Sequence, residues 1–457
     1  MGHNGVIKGS DGGNVKVANN AEFPKEWTIV SLERDCVLIS GLRPKGGASD
    51  EGIPSLGGEH ITLDGRINFS DVNAKYIPEK FFKIMTKGKA EENDILINKD
   101  GANTGKVAIL KKKFYKDIAI NEHLFILRSK KLFVQQYLFY WLFSRFGQKQ
   151  ITDRITGSAQ PGLSSTFIKN FLVPRPPLSE QRKIAEILET IDNAIEKTDA
   201  IIEKYKRIKQ GLMQDLLTKG IDENWQIRNE KTHKFKDSLL GRIPEEWKVV
   251  KLKDVADIRL SNVDKKTDLK GKIIQLCNYL EVYQNDYIIK GMNFMHASAT
   301  NNEIKKFKIS KGDVIITKDS EEYNDIAKPA YVRDEIENLI CGYHLALIKP
   351  LNNINGLFLS KVLSFRNVNI YFQQRANGIT RFGLTKETIT GAIIPLPLIP
   401  EQERIATILS QIDEVIEKEQ AYKEKLERIK KGLMEDLLTG KVRVNHLLIE
   451  EEGKDDN

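Results

Sequence analysis

The chain has 457 residues, with 71 Lys and Arg against 63 Asp and Glu, which gives a formal net charge of +8. Its length favours two to four domains, and its modest positive charge permits a polyanionic partner without identifying one. The three cysteines are odd in number and far apart, which excludes a disulfide framework or a paired-cysteine zinc site and fits a reducing compartment.

Residues 1–22 are rich in Gly and Asn and have no apolar core, so they predict a disordered N-terminal extension and not a secretory signal. The longest apolar stretch, 133–143, is too short and too interrupted to span a bilayer. We therefore expect a cytoplasmic protein that has no membrane partner.

The rest of the chain is a tandem repeat with an offset of 219 to 221 residues. The matching runs include "FPKEWTIVSL" at 23–32 with "IPEEWKVVKL" at 243–252, "NDILINKD" at 93–100 with "GDVIITKD" at 312–319, and "GLMQDLLTKG" at 211–220 with "GLMEDLLTGK" at 432–441. Positions that are the same in both copies are expected to form the frame. Positions that differ are where the two copies could do different work.

Each copy mixes short apolar strands with amphipathic helices, without a regular strand–helix alternation, so its globular part is predicted to be an α+β domain. A long helix follows each domain. The predicted boundaries are 23–178 for the first domain, 179–220 for the first long helix, 221–242 for a polar linker, 243–399 for the second domain, 400–441 for the second long helix and 442–457 for an acidic tail.

Both long segments carry an apolar heptad pattern that is typical of coiled coils. Ser179 is a suitable N-cap for the first helix. The two predicted seams of that helix are Ile184, Ile191, Thr198, Tyr205 and Leu212, and then Ile187, Ala194, Ile201 and Ile208. A homodimer could supply a partner helix, but the second copy supplies one within the chain. We therefore predict that the two helices of one chain pair as an antiparallel coiled coil.

No motif for catalysis or metal binding is present in the sequence. The run "GANTGKV" at 101–107 lacks the glycine spacing and the Ser or Thr of a phosphate loop, and neither HExxH nor a paired Cys/His spacing occurs. His123 and His344 occupy matching places in apolar strands and are predicted to be hydrogen-bonded core residues. Trp27 and Trp247 are likewise predicted to be core. These features favour a binding protein.

Four loops differ between the copies and are the candidates for reading DNA, namely 98–106, 153–162, 317–328 and 374–383. Arg, Asn and Gln can form paired hydrogen bonds with base edges, and Lys can hold phosphates. The acidic run within 317–328 is unfavourable for DNA unless it faces away or accepts from cytosine. The loop glycines are expected only to permit turns. The candidate DNA-binding residues are Lys99, Asn103, Lys106, Arg154, Ser158, Gln160, Lys318, Tyr323, Arg375, Asn377, Thr380 and Arg381.

The repeated pattern P-x-P…EQ-x-x-IA-x-IL-x-x-ID, followed by GLMxDLLT, resembles the specificity subunit of type I restriction–modification systems. The likeness covers nearly the whole chain except its ends, and the extension at the N-terminus is a departure from it. The residues that carry the resemblance are Pro174, Pro176, Glu180, Gln181, Ile184, Ala185, Ile187, Leu188, Ile191 and Asp192, with their repeats Pro395, Pro397, Glu401, Gln402, Ile405, Ala406, Ile408, Leu409, Ile412 and Asp413.

The resemblance implies two target-recognition domains that each read half of an asymmetric, split double-stranded DNA site, with the helix pair setting the gap. It also implies docking of two methyltransferase subunits and of restriction subunits. S-adenosylmethionine, ATP and Mg²⁺ are expected on those partners, and this non-catalytic chain is expected to bind no cofactor or metal itself. The candidate docking and spacer residues are Glu180, Gln181, Ile184, Ile187, Leu188, Ile191, Glu401, Gln402, Ile405, Ile408, Leu409 and Ile412.

Two alternatives stay open at this point. One is a coiled-coil scaffold that holds two protein-binding domains and never touches DNA. The other is a specificity subunit that serves a methylation-only or type II-like assembly. The DNA sequence itself is not readable from the chain, because loop residues do not map to bases without geometry.

Overall fold

The computed structural model of the protein divides into two compact units. Unit 1 extends to Asp199 and resumes at Tyr422, and unit 2 is Ala200–Ala421. Each unit therefore contains one globular domain and part of both long helices. The residues that the structure describes are 7–8, 14–15, 23–157, 159–266 and 271–447. Most of the predicted disordered extension and the last ten residues of the predicted acidic tail lie outside them.

Unit 1 is an α+β domain. Its strands are β1 (Ile7–Lys8), β2 (Asn14–Val15), β3 (Thr28–Ser31), β4 (Cys36–Ser40), β5 (Ile53–Leu56), β6 (Tyr76–Ile77), β7 (Ile95–Asn98), β8 (Val107–Ile109), β9 (Ala119–Ile120), β10 (Leu124–Ser129), β11 (Ile155–Thr156), β12 (Gly162–Leu163) and β13 (Leu172–Arg175). Its helices are α1 (Leu32–Asp35), α2 (Glu79–Ile84), α3 (Gln135–Phe143), α4 (Arg145–Thr152) and the first part of α5 (Leu178–Thr218), with 3-10 turns at Gly58–His60 and Ser165–Ile168.

The main sheet of unit 1 has four antiparallel strands in the order β4-β10-β7-β8. Helix α3 lies in the same core because its sequence, QQYLFYWLF, is almost wholly apolar. Its polar atoms are satisfied internally: the Tyr137 hydroxyl donates to the carbonyl of Pro174 at 2.9 Å, and Trp141 Nε1 donates to that of Leu172 at 3.0 Å. These bonds hold β13, the strand that leads into the first long helix.

Unit 2 repeats this plan. Its strands are β14 (Phe235–Ser238), β15 (Gly241–Pro244), β16 (Lys248–Lys251), β17 (Ala256–Leu260), β18 (Lys272–Cys277), β19 (Tyr287–Ile288), β20 (Met295–Ala299), β21 (Val314–Thr317), β22 (Asp319–Ser320), β23 (Pro329–Val332), β24 (Leu339–Cys341), β25 (Leu345–Pro350), β26 (Phe382–Gly383) and β27 (Ile393–Leu396). Its helices are α6 (Tyr279–Tyr283), α7 (Asn301–Phe307), α8 (Gly356–Ser364), α9 (Arg366–Gln373), α10 (Lys386–Thr390) and the first part of α11 (Ile399–Leu438), with 3-10 turns at Leu252–Asp254 and Tyr323–Asp325.

The main sheet of unit 2 has five strands in the order β17-β25-β21-β23-β19, and a second sheet has the order β20-β18-β24. Strands β21 and β25 correspond to β7 and β10 of unit 1, and α8 corresponds to α3. The predicted α+β class and the predicted duplication are therefore both confirmed.

The two long helices pair in an antiparallel manner, as predicted. In unit 1, Asp192 lies 2.6 Å from Lys430 and Asp199 lies 2.6 Å from Lys423, so the partner's number falls as the number along α5 rises. In unit 2, Lys209 lies 2.6 Å from Asp413. The pairs 192–430 and 209–413 are copies of each other under the repeat offset of 221, which places the same ion pair in each unit.

Of the two predicted seams of the first helix, the second needs a correction of one residue, while Ile184 and Thr198 of the first are buried. Leu188, Ile195 and Ile202 are buried, whereas Ile201 and Ile208 of the predicted seam are 39% and 37% exposed. The helix also packs on its own domain, where Leu188 belongs to the buried core, and this moves the buried stripe.

The predicted helix start also needs correction, because α5 begins at Leu178 and Ser179 therefore lies inside its first turn. Among the described residues, no helix combines the length and the apolar character needed to cross a membrane.

Candidate nucleic-acid interface and docking surfaces

The two predicted loops of unit 1 come together at one end of the main sheet. The amide of Gly101 donates to the carbonyl of Pro161 at 3.1 Å, and the Thr104 hydroxyl donates to the same carbonyl at 3.0 Å. Asp100 also forms a β-bridge with Gly162. Residues far apart in sequence therefore form one surface, which we call loop cluster 1 (98–106 with 153–162).

The candidate DNA-binding residues of loop cluster 1 differ in how they are held. Gln160 is exposed, whereas Lys99 is half-buried with its ammonium 5.5 Å from the Phe125 ring. Asn103 Nδ2 donates to the carbonyl of Gly58 at 3.2 Å, and Lys106 is half-buried. Ser158 lies outside the described residues.

Arg154 has internal partners that the sequence did not predict. Its guanidinium donates to the carbonyls of Gln150 at 2.7 Å and Asn170 at 2.9 Å and lies over the Phe171 ring at 5.6 Å. These contacts bond the start of the loop to its own domain, so the Arg154 side chain stabilises the conformation of loop cluster 1.

Unit 2 builds an equivalent surface, loop cluster 2 (317–328 with 374–383). Here β22 pairs with β26, and the amide of Leu384 donates to the carbonyl of Lys318 at 2.8 Å. Of the loop glycines, Gly157 and Gly378 have positive φ angles of 89° and 141°, as expected for residues that permit turns. The two loop clusters are thus built on repeat-equivalent strands, and each has a glycine turn at the equivalent position.

The candidate residues of loop cluster 2 are mostly exposed. Tyr323, Arg375, Asn377, Thr380 and Arg381 are exposed. The Arg375 guanidinium lies 4.1 Å from the centre of the Tyr371 ring. The half-buried Lys318 ammonium is 4.6 Å from the Tyr343 ring and 3.7 Å from the Asp319 carboxylate.

The acidic run of loop cluster 2 is partly neutralised within unit 2. Asp325 accepts from the Tyr283 hydroxyl and lies 3.2 Å from the Lys328 ammonium. The hydrogen bond and the negative charge of Asp325 raise the pKa of Tyr283 to about 12. Two of the acidic side chains, Glu321 and Glu322, are exposed.

His123 and His344 are not core residues, so that prediction is wrong. His123 Nδ1 lies 2.6 Å from Asp100 Oδ1, and His344 Nδ1 lies 2.8 Å from Asp319 Oδ2. The His123 side chain is 47% exposed. Each histidine stands just before a buried strand, at the strand end where the chain emerges into the loop cluster. The repeated "KD" before the loop was the signal that the sequence offered.

The ends of the long helices that face the domains carry a buried acidic residue each. In unit 1, Glu180 accepts from Trp27 Nε1 at 3.0 Å and from Arg443 Nε at 2.7 Å. In unit 2, Glu401 accepts from Trp247 Nε1 at 3.1 Å and forms a paired contact with Arg228. The hydrogen bond that Arg443 donates to Glu180 raises the pKa of Arg443 above its ordinary value.

The glutamines next to these acidic residues form hydrogen bonds with backbone groups of the domain. The Gln181 side chain accepts from the amide of Val134 at 2.8 Å and donates to the carbonyl of Pro176 at 2.9 Å. Gln402 does the same with the amide of Asn355 at 2.8 Å and the carbonyl of Pro397 at 2.8 Å.

Several predicted docking residues are therefore inaccessible to a partner, because their side chains are buried within their own unit. Ile187, Ile191, Ile408 and Ile412 remain half-buried. The buried members are Glu180, Gln181, Ile184, Leu188, Glu401, Gln402, Ile405 and Leu409. These eight residues hold the helices on the domains.

A second acidic residue follows further along each helix, with different surroundings in the two units. Asp192 accepts from the Tyr140 hydroxyl at 2.7 Å and pairs with Lys430. Asp413 accepts from the Tyr287 hydroxyl at 2.6 Å and pairs with both Lys209 and Lys361. Burial by itself would raise the pKa of Asp413, but the charges of Lys361 and Lys209 outweigh it, so that pKa is lowered.

Two grooves lie at repeat-equivalent places, one in each unit. The groove of unit 1, of about 340 Å³, is lined by residues that include Phe143, Arg145, Lys430 and Met434. The groove of unit 2, of about 610 Å³, is lined by residues that include Ser364, Arg366, Lys209 and Met213. Each of these four positions in one groove corresponds to one in the other under the offset of 221. The described residues contain no group of three or more potential metal ligands.

Comparison with known proteins gives one consistent result. The family described as the type I restriction modification DNA specificity domain matches residues 67–206 and 244–428. The chain is similar to the type I restriction enzyme MjaVIII specificity subunit of Methanocaldococcus jannaschii, with 28% identity over 95% of this chain and 97% of that one. The putative MjaX specificity subunit of the same organism is 29% identical over 94% of this chain and 97% of its own length.

Solved structures support the fold. The S subunit of a type I restriction–modification system from M. genitalium matches with a TM-score of 0.59 at 16% identity, over 93% of this chain and 98% of that one. A structure described as concerning complex assembly and conformational transition of the type I R-M system matches with a TM-score of 0.51 at 17% identity, over 92% and 100%.

Proposed function

The chain belongs to the type I restriction–modification DNA specificity family, and on that premise we propose that it reads a two-part, asymmetric DNA site, one half with each loop cluster. The observation that carries the proposal is the pair of loop clusters themselves. Both are built on equivalent strands, yet Gln160 in one stands where Arg381 stands in the other. A common frame with different exposed side chains suits two domains that recognise different sequences.

The exposed side chains fit base reading. Arginine forms paired hydrogen bonds with guanine, and glutamine does so with adenine, at the edges that face the major groove. We assign base contacts to Gln160, Arg375, Asn377 and Arg381, and phosphate contacts to lysines such as Lys318, because a lysine ammonium acts as a point charge. The partly neutralised acidic run lowers the repulsion that we expected between loop cluster 2 and phosphate.

The antiparallel helices serve as the spacer between the half-sites. Helix α5 has 41 residues, which at about 1.5 Å per residue is roughly 60 Å. Domains that read the same face of DNA are about 34–36 Å apart, one helical turn, so helices of this length suffice. The ion pairs between the helices set their register, and the register sets the gap.

The two grooves supply docking sites for two copies of one partner, a methyltransferase subunit. Two copies are proposed because the lining of the grooves repeats within the chain. S-adenosylmethionine would be bound by that partner, and ATP and Mg²⁺ by restriction subunits, while this chain would act without a catalytic group of its own in the cytoplasm.

Replacement of Arg145 or Arg366 by Glu tests the docking proposal. The side chain of Arg145 is 65% exposed, so the substitution should leave the fold intact. Each single variant is expected to lose one methyltransferase subunit from the purified complex, as measured by native mass spectrometry. Lys149→Glu, at an equally exposed position of α4, is the matched control. Retention of two subunits by both arginine variants contradicts the proposal.

Methylome sequencing of the host with and without the gene tests the DNA-reading function. We expect the gene to add one split adenine-methylated motif. A purified complex that binds DNA without sequence preference would favour the scaffold alternative.

Matched insertions test the spacer. Seven residues added after Asp199 and seven after Ala421 would keep the ion-pair register of each unit and lengthen both helices by about 10 Å. The motif is expected to keep both half-sites and to gain about three base pairs of gap. Changed half-sites with an unchanged gap contradict the spacer role.

A further inference from the structure

Both loop clusters contain a His–Asp pair that is at least partly exposed. Asp100 with His123 and Asp319 with His344 occupy repeat-equivalent positions and are bonded through the same ring nitrogen. The His123 and Asp100 side chains are 47% and 40% exposed, and those of His344 and Asp319 are 28% and 21% exposed. None of the four side chains belongs to a buried core, so core packing alone does not account for the repetition of this pair.

The strands place each pair at the base of its loops. The amide of Lys99 donates to the carbonyl of His123 at 2.9 Å, and the amide of Lys318 donates to that of His344 at 3.0 Å. Asp100 bridges to Gly162, and Asp319 pairs with Gly383. Three chain segments thus converge on each histidine, and one of them carries the variable residue, Gln160 or Arg381.

In each pair the aspartate occupies only one ring nitrogen. A carboxylate can only accept, so Nδ1–H of each histidine donates to its aspartate. The other nitrogen, Nε2, faces Glu122 in unit 1 and Arg381 in unit 2. An imidazolium held in this way presents Nε2–H to an anion. The aspartate fixes the orientation of the ring in the same way in both units.

The charged groups around the two rings differ. His123 faces Asp100 and also Glu122, whose Oε1 is 3.5 Å from Nε2 and 3.1 Å from the Arg43 guanidinium. His344 faces Asp319, and Arg381 Nη2 lies 3.3 Å from its Nδ1 and 3.4 Å from its Nε2. Lys318 and Asp264 also lie near His344.

Two domains that read different sequences share only the sugar–phosphate backbone of their targets. A contact that is the same in both domains is therefore expected to be made to the backbone, while contacts that differ are expected to be made to bases. We propose that His123 and His344 each bind a DNA phosphate through Nε2–H, with Asp100 and Asp319 as positioning residues. The inference rests on the proposed DNA-reading function. Each His–Asp pair would then bind the DNA backbone in the same way, while the variable residue beside it, Gln160 or Arg381, contacts a base.

Substitution of the histidines by asparagine distinguishes phosphate binding from a purely structural role, in which the His–Asp hydrogen bond only holds the strand ends together. The amide nitrogen of Asn can replace Nδ1 and keep the bond to the aspartate, but nothing replaces Nε2. His123→Asn and His344→Asn should therefore fold like the wild type. If the histidines had only a structural role, both variants would also bind DNA like the wild type. His233→Asn, in the segment between the repeats, is the control.

The experiment measures binding of the chain in complex with its methyltransferase subunits to a duplex that carries the methylated motif, over a range of salt concentrations. Each Asn variant should bind about tenfold more weakly, the loss expected for one charge-assisted hydrogen bond. The salt slope should fall by about 0.9 per variant, and half-site preference should not change.

Three outcomes would overturn the inference: wild-type affinity and salt slope in both Asn variants, a loss of affinity that leaves the salt slope unchanged, or an altered preference for one half-site. A wild-type complex with no preference for the motif would instead overturn the DNA-reading function. The two failures are therefore distinguishable in the same assay.

Discussion

The helix–domain junctions and the loop clusters are both duplicated, but in opposite ways. At the junctions, Glu180 and Glu401 are 1% and 5% exposed and bind the same partners, a tryptophan and an arginine. In the loop clusters the backbone pairing is repeated, but the exposed side chains differ. At these two places duplication has kept the buried contacts and varied the exposed side chains. The partly exposed His–Asp pairs are repeated as well, which suggests a common ligand.

The two junctions also differ from each other in one respect. Arg228 follows the first long helix in sequence and binds Glu401 of unit 2, whereas Arg443 follows the second long helix and binds Glu180 of unit 1. The Arg228 side chain is 9% exposed and that of Arg443 is 27% exposed. The same contact should therefore be worth more in unit 2.

Glu401→Gln should have the largest effect. It leaves the buried Arg228 guanidinium with only the half-exposed carboxylate of Glu246, 3.0 Å away, as a counter-charge, and this costs about 3–5 kcal/mol of unfolding free energy. Glu180→Gln should cost less, because water can reach Arg443. Urea unfolding followed by tryptophan fluorescence measures both. Equal losses would show that burial does not distinguish the junctions.

Asp413→Asn should cost about 3 kcal/mol at pH 7, since it removes the counter-charge of the buried Lys361. Because the folded pKa of Asp413 is lowered, its contribution is present above the unfolded value of about 3.9 and is lost as the pH falls through the folded value. The difference between wild type and variant should therefore be constant above about pH 5 and shrink below about pH 4. Asp192→Asn, at the more accessible copy, should cost less. A constant difference down to pH 3 would contradict this account.

Arg381→Gln should change half-site preference and leave the fold unchanged. An exposed arginine that pairs with guanine contributes about 1–3 kcal/mol of discrimination against the wrong base. The base preference should therefore be weakened at one position of one half-site. Competition binding with single-base variants of the motif measures the change. A uniform loss over all sequences would move Arg381 from base reading to phosphate binding.

Asp199→Asn should have the smallest effect. Its ion pair with Lys423 is about one-third exposed on both sides, so less than about 1 kcal/mol of stability is expected to be lost. A loss as large as that of Asp413→Asn would mean that the helix pairing depends on this pair more than on its buried contacts.

The sequence predicted the fold well because the repeat and the heptads are properties of many residues at once. The second seam was displaced by one residue because Leu188 packs into the core of its own domain. The buried role of Glu180 and Gln181 was missed because their partners, Arg443 and Val134, are far away in sequence. The positions of His123 and His344 were misjudged for a similar reason: apolar neighbours indicate a strand, but not where the strand ends.

We propose that one loop cluster reads one half of the site on a frame that both domains share. Exchange of residues 374–383 for residues 153–162, followed by methylome sequencing of the host, is the decisive experiment. We expect a motif in which one half-site changes while the other half-site and the gap stay as they were. A motif in which both half-sites change, or in which only the gap changes, would show that the loop cluster does not read its half-site alone.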